Sequence, residues 1–346
     1  MEMSREEDRS LRTRLDVERE ALSVSQSLKK SYESAKLNIV SEFNKVYGEY
    51  SQGEKLTLKE IKKDLGKDEK RAFLKDVEEM VKFSKTTKNA SYKARLHRLY
   101  NRAKISRLEA LEENINFEIE KIANQSKFLF DKKAKKIYNE TILKTMFNIE
   151  TAIGFETAFT KPNYKMVEAS VNRKWLGDNF EGRLTSNKER LTHKLSQKMT
   201  QGIVLGKSSK DIAKDIDKLI KNGTSNSARL VHTEFANIAG IATFDGYTKS
   251  KAVKRFKYLA TLDEKTSDIC QELDGQIFYL SEKMDGVNYP PMHPWCRSTT
   301  TPYFEPDEID AMFEKTQRVA REQDGYTRVY FDKDVTYKEW EKIRGF

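Results

Sequence analysis

The chain has 346 residues and a mass of 40.3 kDa, with 37% hydrophobic and 34% charged residues, a mean hydropathy of -0.77 and a formal net charge of +10. That length suffices for two or three domains and a substantial core, but the polarity excludes a thick globule throughout and points to solvated amphipathic helices in an extended arrangement. No apolar run reaches the length of a membrane span, the opening MEMSREEDRS is too polar for a secretory signal, and two cysteines exclude a secreted disulfide framework. A soluble protein made in a cytoplasm is expected.

The first 161 residues contain no proline and are rich in Lys, Glu, Leu and Ala, so long helices are predicted there. Thr57-Leu-Lys-Glu60 has capping-box spacing and predicts a helix that stops near Gly66, with another from Asp68 to Phe83. Over 96–122, Leu96, Leu99, Ala103, Leu108, Leu111, Ile115, Ile119 and Ile122 recur three or four apart, a seam down a single helix. Within this region the run Ser84–Arg107 holds eight Lys or Arg and no acidic residue. Lys93, Arg95, Arg98, Arg102 and Arg107 are therefore candidates for non-specific contact with double-stranded DNA, with Arg95, Arg98 and Arg102 on one helical stripe. The alternative is an ordinary solvated face.

A second helical region runs from Pro162 to Tyr247. Ser186-Asn-Lys-Glu189 reads as a capping box, Gly202 and Gly206 as breaks, and Ser208-Ser-Lys-Asp211 as the start of a short helix ending at Asn222-Gly223. After Lys254 the period changes: RFKYLATL, QIFYL and STTTPYF are short β-prone segments separated by Asp274-Gly275 and proline-rich turns. The tail predicts a helix over Asp307–Arg321, an extended piece at TRVYF and a last helix near Tyr337–Ile343. The fold class expected is α+β: a long, mostly helical amino-terminal body, a small strand-containing module and a helical tail. The boundaries are 1–160 (basic, elongated), 161–250 (inner helical), 251–305 (the module) and 306–346 (the tail).

The module carries an ordered set of residues: Asp263, Thr266, Cys270, Leu273, Gly275, Pro290, Pro291, His293, Pro294, Cys296, Arg297 and Pro302. In that order it resembles the carboxy-terminal module of the phage Mu F-like minor head proteins, the head morphogenesis family of tailed phages. The preceding His232-Thr233-Glu234 resembles a segment in which Arg-Thr-Glu is usual. The resemblance implies a minor capsid protein of a double-stranded DNA phage, recruited in few copies to the portal end of the procapsid. Its implied partners are the portal protein, capsid or scaffolding proteins and packaged DNA, with which some members leave the head. Its implied location is the host cytoplasm during assembly, then the virion, inside the head near the portal.

Cys270, His293 and Cys296 are candidate metal ligands, zinc being the metal such a set suits. Many relatives have further cysteines where this chain has Ser267 and Ser298, so a closed site needs Asp263, Asp268 or another side chain as its fourth ligand. Reduced, packed cysteines and a Cys270–Cys296 disulfide are the other readings. Asp263, Thr266, Gly275, Pro291, Pro294 and Arg297 are expected to be structural, with Arg297 pairing a carboxylate such as Asp263 and Trp295 locking the turn by burial. No nucleophile–base pair is visible, so no catalytic residue is assigned and a non-enzymatic role is expected. The rival is a metal-dependent nuclease or toxin-like hydrolase built on His293 and nearby carboxylates.

Overall fold

The structure is a computed structural model and describes residues 3–48, 57–87, 90–312, 329–332 and 334–346. It is α+β, as expected: predominantly helical, with a small antiparallel sheet in the module. The chain divides into two compact units that cut across chain order. One comprises residues 1–24, 129–180 and 228–346, and the other residues 25–128 and 181–227.

The second unit has no β-strand among the described residues and is built of helices. It takes its chain from parts of α1 (Arg5–Gly48), α5 (Arg107–Ile153), α7 (Phe180–Val204) and α8 (Ser209–Ser250), with α2 (Leu58–Ile61), α3 (Lys67–Thr87) and α4 (Ala90–Tyr100). Its main core interleaves Ile39, Phe43, Ile115, Ile119, Leu195 and Ile216, residues that recur at helical spacing on four different helices. A smaller cluster joins Phe73, Val77 and Met80 of α3 to Leu96 of α4 and Ile105.

Several predicted boundaries shift, each for a local reason. The Thr57 capping box forms, but its helix ends at Ile61, because the chain then turns to pair Asp64 with Ser106. The seam over 96–122 is not one helix. Leu96 and Leu99 close α4, and Ser106 starts α5 by accepting from the Glu109 amide while Glu109 accepts from the Ser106 amide, a second capping box. Ser186 lies inside α7 and caps nothing there, whereas Ser208 does open α8 by accepting from the Asp211 amide at 3.2 Å. That helix runs unbroken through Asn222-Gly223 to Ser250. Gly223 is a packing residue: a Cβ there would lie 2.8 Å from Leu191 Cδ2 and 3.1 Å from the Tyr32 ring. Gly206, at φ +64°, supplies the left-handed stop after α7.

In the first unit α8 packs on α5 through Gly246, whose missing Cβ admits Thr145. The sheet has the order β2-β1-β3, from β1 (Arg255–Leu259), β2 (Ile277–Tyr279) and β3 (Thr299–Tyr303). Both neighbours run antiparallel to β1, with Phe256 opposite Phe278 and Pro302. Phe256 and Tyr258 alternate onto the buried face, completing the period-2 pattern. The Asp274-Gly275 turn does not join two adjacent strands directly: it follows α9 (Asp268–Leu273) and leads into β2. The tail is helical over residues 306–312, and the rest of the helix predicted to Arg321 lies outside the described residues, as do the first two residues of TRVYF. Tyr330 bridges Phe155, and the final helix, Tyr337–Arg344, seats Trp340 fully buried, its indole donating to Glu150 at 2.8 Å.

Candidate functional site

Three segments meet at Cys270. β1 supplies Tyr258, α9 supplies Cys270 one turn after its N-cap Ser267, and the proline-rich turn supplies His293 and Cys296. The ligand atoms of Cys270, His293 and Cys296 all lie within 4.8 Å of one another. Cys270 Sγ is 3.9 Å from Cys296 Sγ and 3.5 Å from His293 Nε2, both cysteines are buried, and they are not bridged. The Tyr258 hydroxyl donates to Cys270 Sγ at 3.3 Å, and Ser267 Oγ lies 2.9 Å from His293 Nε2. His293 Nδ1 faces the Pro294 carbonyl at 2.8 Å, which places the ring proton on Nδ1 and turns the Nε2 lone pair toward the sulfurs.

The hydrogen bond from Cys296 holds the Cys270 thiol well below its ordinary value, while the same bond and burial push Cys296 up. Tetrahedral zinc with two thiolates and an imidazole needs edges of about 3.8 Å between sulfurs and about 3.5 Å between sulfur and nitrogen. The two edges at Cys270 fit, while Cys296 Sγ and His293 Nε2 lie within 4.8 Å of one another, so Cys270, Cys296 and His293 Nε2 would hold the ion once that third edge shortens. Bound there, it would cross-link α9 to the proline-rich turn.

Around this centre several contacts and backbone features fix the turn. Arg297 forms a bidentate pair with Asp263, which also accepts from the Lys265 amide, and these contacts hold the Asp263 carboxyl well below the usual range. Thr266 Oγ1 bonds within the same turn, Gly275 adopts φ +78°, and Pro290–Pro291 is cis, with Pro294 two residues before Cys296. Arg14 of α1, 6% exposed, donates to the Cys296 carbonyl at 2.6 Å. No sequence signal pointed to Arg14, which lies 282 residues from its partner. Tyr258 is likewise only a strand aromatic until the fold turns it inward.

Trp295 departs from expectation. It is 45% exposed at φ +66°, its ring against His232 at 4.5 Å and its amide donating to Thr233 Oγ1. Glu234 in turn accepts from Trp175 Nε1 at 3.0 Å. His232-Thr233-Glu234 therefore braces two tryptophans. Burial, then the charge of Arg14, pushes His232 down to about 4, so it serves as a neutral ring.

The five candidate DNA-contacting cations separate into two groups. Arg95 pairs with buried Glu113 at 2.8 Å, Arg102 with Glu109 at 2.7 Å and Arg107 with Glu69 at 2.8 Å. The run that lacks acidic residues in sequence finds them in space. Arg102 also lies beyond the end of α4, off the stripe shared by Arg95 and Arg98. Lys93 and Arg98 are exposed on α4.

Helices, a small antiparallel sheet and a cysteine–histidine turn define the module, and part of the chain that includes it resembles known proteins. Residues 193–301 match the family model described as Phage Mu protein F like protein, which bears out the resemblance read from the sequence. A curated relative, the NAD(+)--arginine ADP-ribosyltransferase EFV of Enterococcus faecalis (strain ATCC 700802 / V583), is 27% identical over 117 residues, 33% of this chain. The chain covers 24% of that protein's length. No solved structure matches. Among the described residues no helix is long and apolar enough to cross a membrane.

Proposed function

We propose that the protein is a minor head protein of a tailed double-stranded DNA phage, acting without catalysis at the portal end of the procapsid and residing in the virion. The match over residues 193–301 carries this reading, since Mu F-like proteins point to phage head morphogenesis. The portal protein, the shell or scaffold and packaged DNA are its proposed partners.

The DNA assignment rests on charge partition. Residues 25–128 and 181–227, one compact unit, hold 33 Lys+Arg against 21 Asp+Glu, a net of +12. The other unit holds 31 against 33, a net of -2. The whole excess of positive charge lies on the unit without the cysteine module, and that unit is the proposed DNA-facing part.

The test is imaging of purified heads carrying a tagged copy beside heads lacking the protein. Density at a single vertex is expected. Absence of the tag from purified heads, or its even spread over the shell, overturns the proposal.

A further inference from the structure

We infer that the hydroxyl of Ser267, rather than a carboxylate, fills the fourth position of a cation site whose other ligands are Cys270, His293 and Cys296. This goes beyond the head-protein reading and does not depend on it.

Three observations converge. Ser267 is the N-cap of α9, yet its side chain makes no capping bond to that helix. An N-cap serine ordinarily accepts from an amide two or three residues on, so this hydroxyl is directed elsewhere. It lies 2.9 Å from His293 Nε2, on the side where the imidazole presents its lone pair. Asp263, one of the two carboxylates the sequence offers, is engaged by Arg297, Thr266 and the Lys265 amide.

Charge argues the same way. Two thiolates balance a divalent cation, so a neutral oxygen completes an uncharged buried centre, whereas an aspartate would leave a net negative charge beside Cys270 and Cys296, 2% and 1% exposed. Loading releases the thiol protons to solvent, and the Tyr258 hydroxyl remains as a donor to the Cys270 sulfur. The ligand class is a borderline-soft divalent ion that accepts sulfur and nitrogen in tetrahedral array, which selects zinc over magnesium or calcium.

The test titrates the metal-stripped, reduced full-length protein with cobalt(II) chloride and records its absorption. The wild-type chain should bind one equivalent, with tetrahedral d–d bands and a sulfur-to-cobalt charge-transfer band for two thiolates. Ser267→Cys should raise that band by about half, three sulfurs replacing two, and Ser267→Ala should weaken binding roughly 10-fold or more. Zinc should displace cobalt in each. Absence of charge-transfer absorption in the wild type overturns the site. A Ser267→Ala spectrum and affinity equal to wild type, with unchanged circular dichroism, overturns the serine. Should Ser267→Ala fail to fold, the Ser267→Cys spectrum decides, since no gain in the band would place residue 267 outside the coordination shell.

Discussion

At the scale of single residues, polar groups hold the module where a small core cannot. Asp263 titrates below its unfolded value because Arg297 and backbone donors favour the carboxylate. A depressed carboxyl contributes stability that is present above the unfolded value near 4 and lost as pH falls below it. Asp263→Asn should therefore lower the thermal midpoint at pH 7 and reduce the acid dependence of unfolding, read by melts across pH. His232 acts in a higher window. Its ring is held down to about 4 by burial and then Arg14, so the unfolded chain binds a proton first and stability falls as pH drops from 6.5 toward about 4. His232→Gln should flatten that interval, and an unchanged slope would show that another group titrates there. Trp340 is fully buried and bonded to Glu150, so Trp340→Ala should cost about 3–5 kcal/mol in denaturant unfolding.

At the scale of elements, the long helices depend on how they start and how closely they approach their neighbours. Ser106→Ala removes the cap that divides α4 from α5 and should cost about 1 kcal/mol. Two glycines of α8 offer a sharper comparison. At Gly240 a Cβ would meet the Pro290 carbonyl oxygen at 3.0 Å, a backbone atom of the turn that Tyr289 ties to the Gly240 carbonyl. At Gly223 it would meet the end of the Leu191 side chain at 2.8 Å and the edge of the Tyr32 ring at 3.1 Å, so side chains rather than backbone must shift. Gly240→Ala should cost about 1–3 kcal/mol, whereas at Gly223 the crowding is offset by about 1 kcal/mol of helix propensity. Equal losses at both positions, measured by chemical denaturation, would contradict this account of the turn.

At the scale of the whole molecule, the partition of charge sets the expectation for nucleic acid. The full chain should retain duplex DNA on filters at low salt, with log K falling as log salt rises and each lost phosphate contact reducing the slope by about 0.9. Lys93→Glu with Arg98→Glu should weaken retention without unfolding α4, because neither removes an ion pair described within the fold. Arg107→Glu should destabilise the protein instead, since it breaks the bidentate contact with Glu69 and places two carboxylates together. Full-length protein is the appropriate material, as residues 1–160 cut through both compact units.

Helical character, the shift to short strands after Lys254, and the order of Asp, Thr, Cys, Pro, His and Arg in the module were determined by the sequence alone, because local periodicity and turn chemistry act between near neighbours. Family resemblance was legible for the same reason, as the motif is contiguous from Asp263 to Pro302. Tertiary structure decided the rest. Glu69, Glu109 and Glu113 become counterions only when α3 and α5 pack beside the basic run. Gly223, a stop signal in sequence, becomes a contact point because the closeness of Leu191 and Tyr32 outweighs a glycine's weak helix propensity. Ser267, Tyr258, His293 and both cysteines converge on one point, and Arg14 reaches the turn from the other end of the chain, because the two antiparallel pairings of β1 bring α9 and the proline turn together. Contacts between residues so far apart leave no periodic trace.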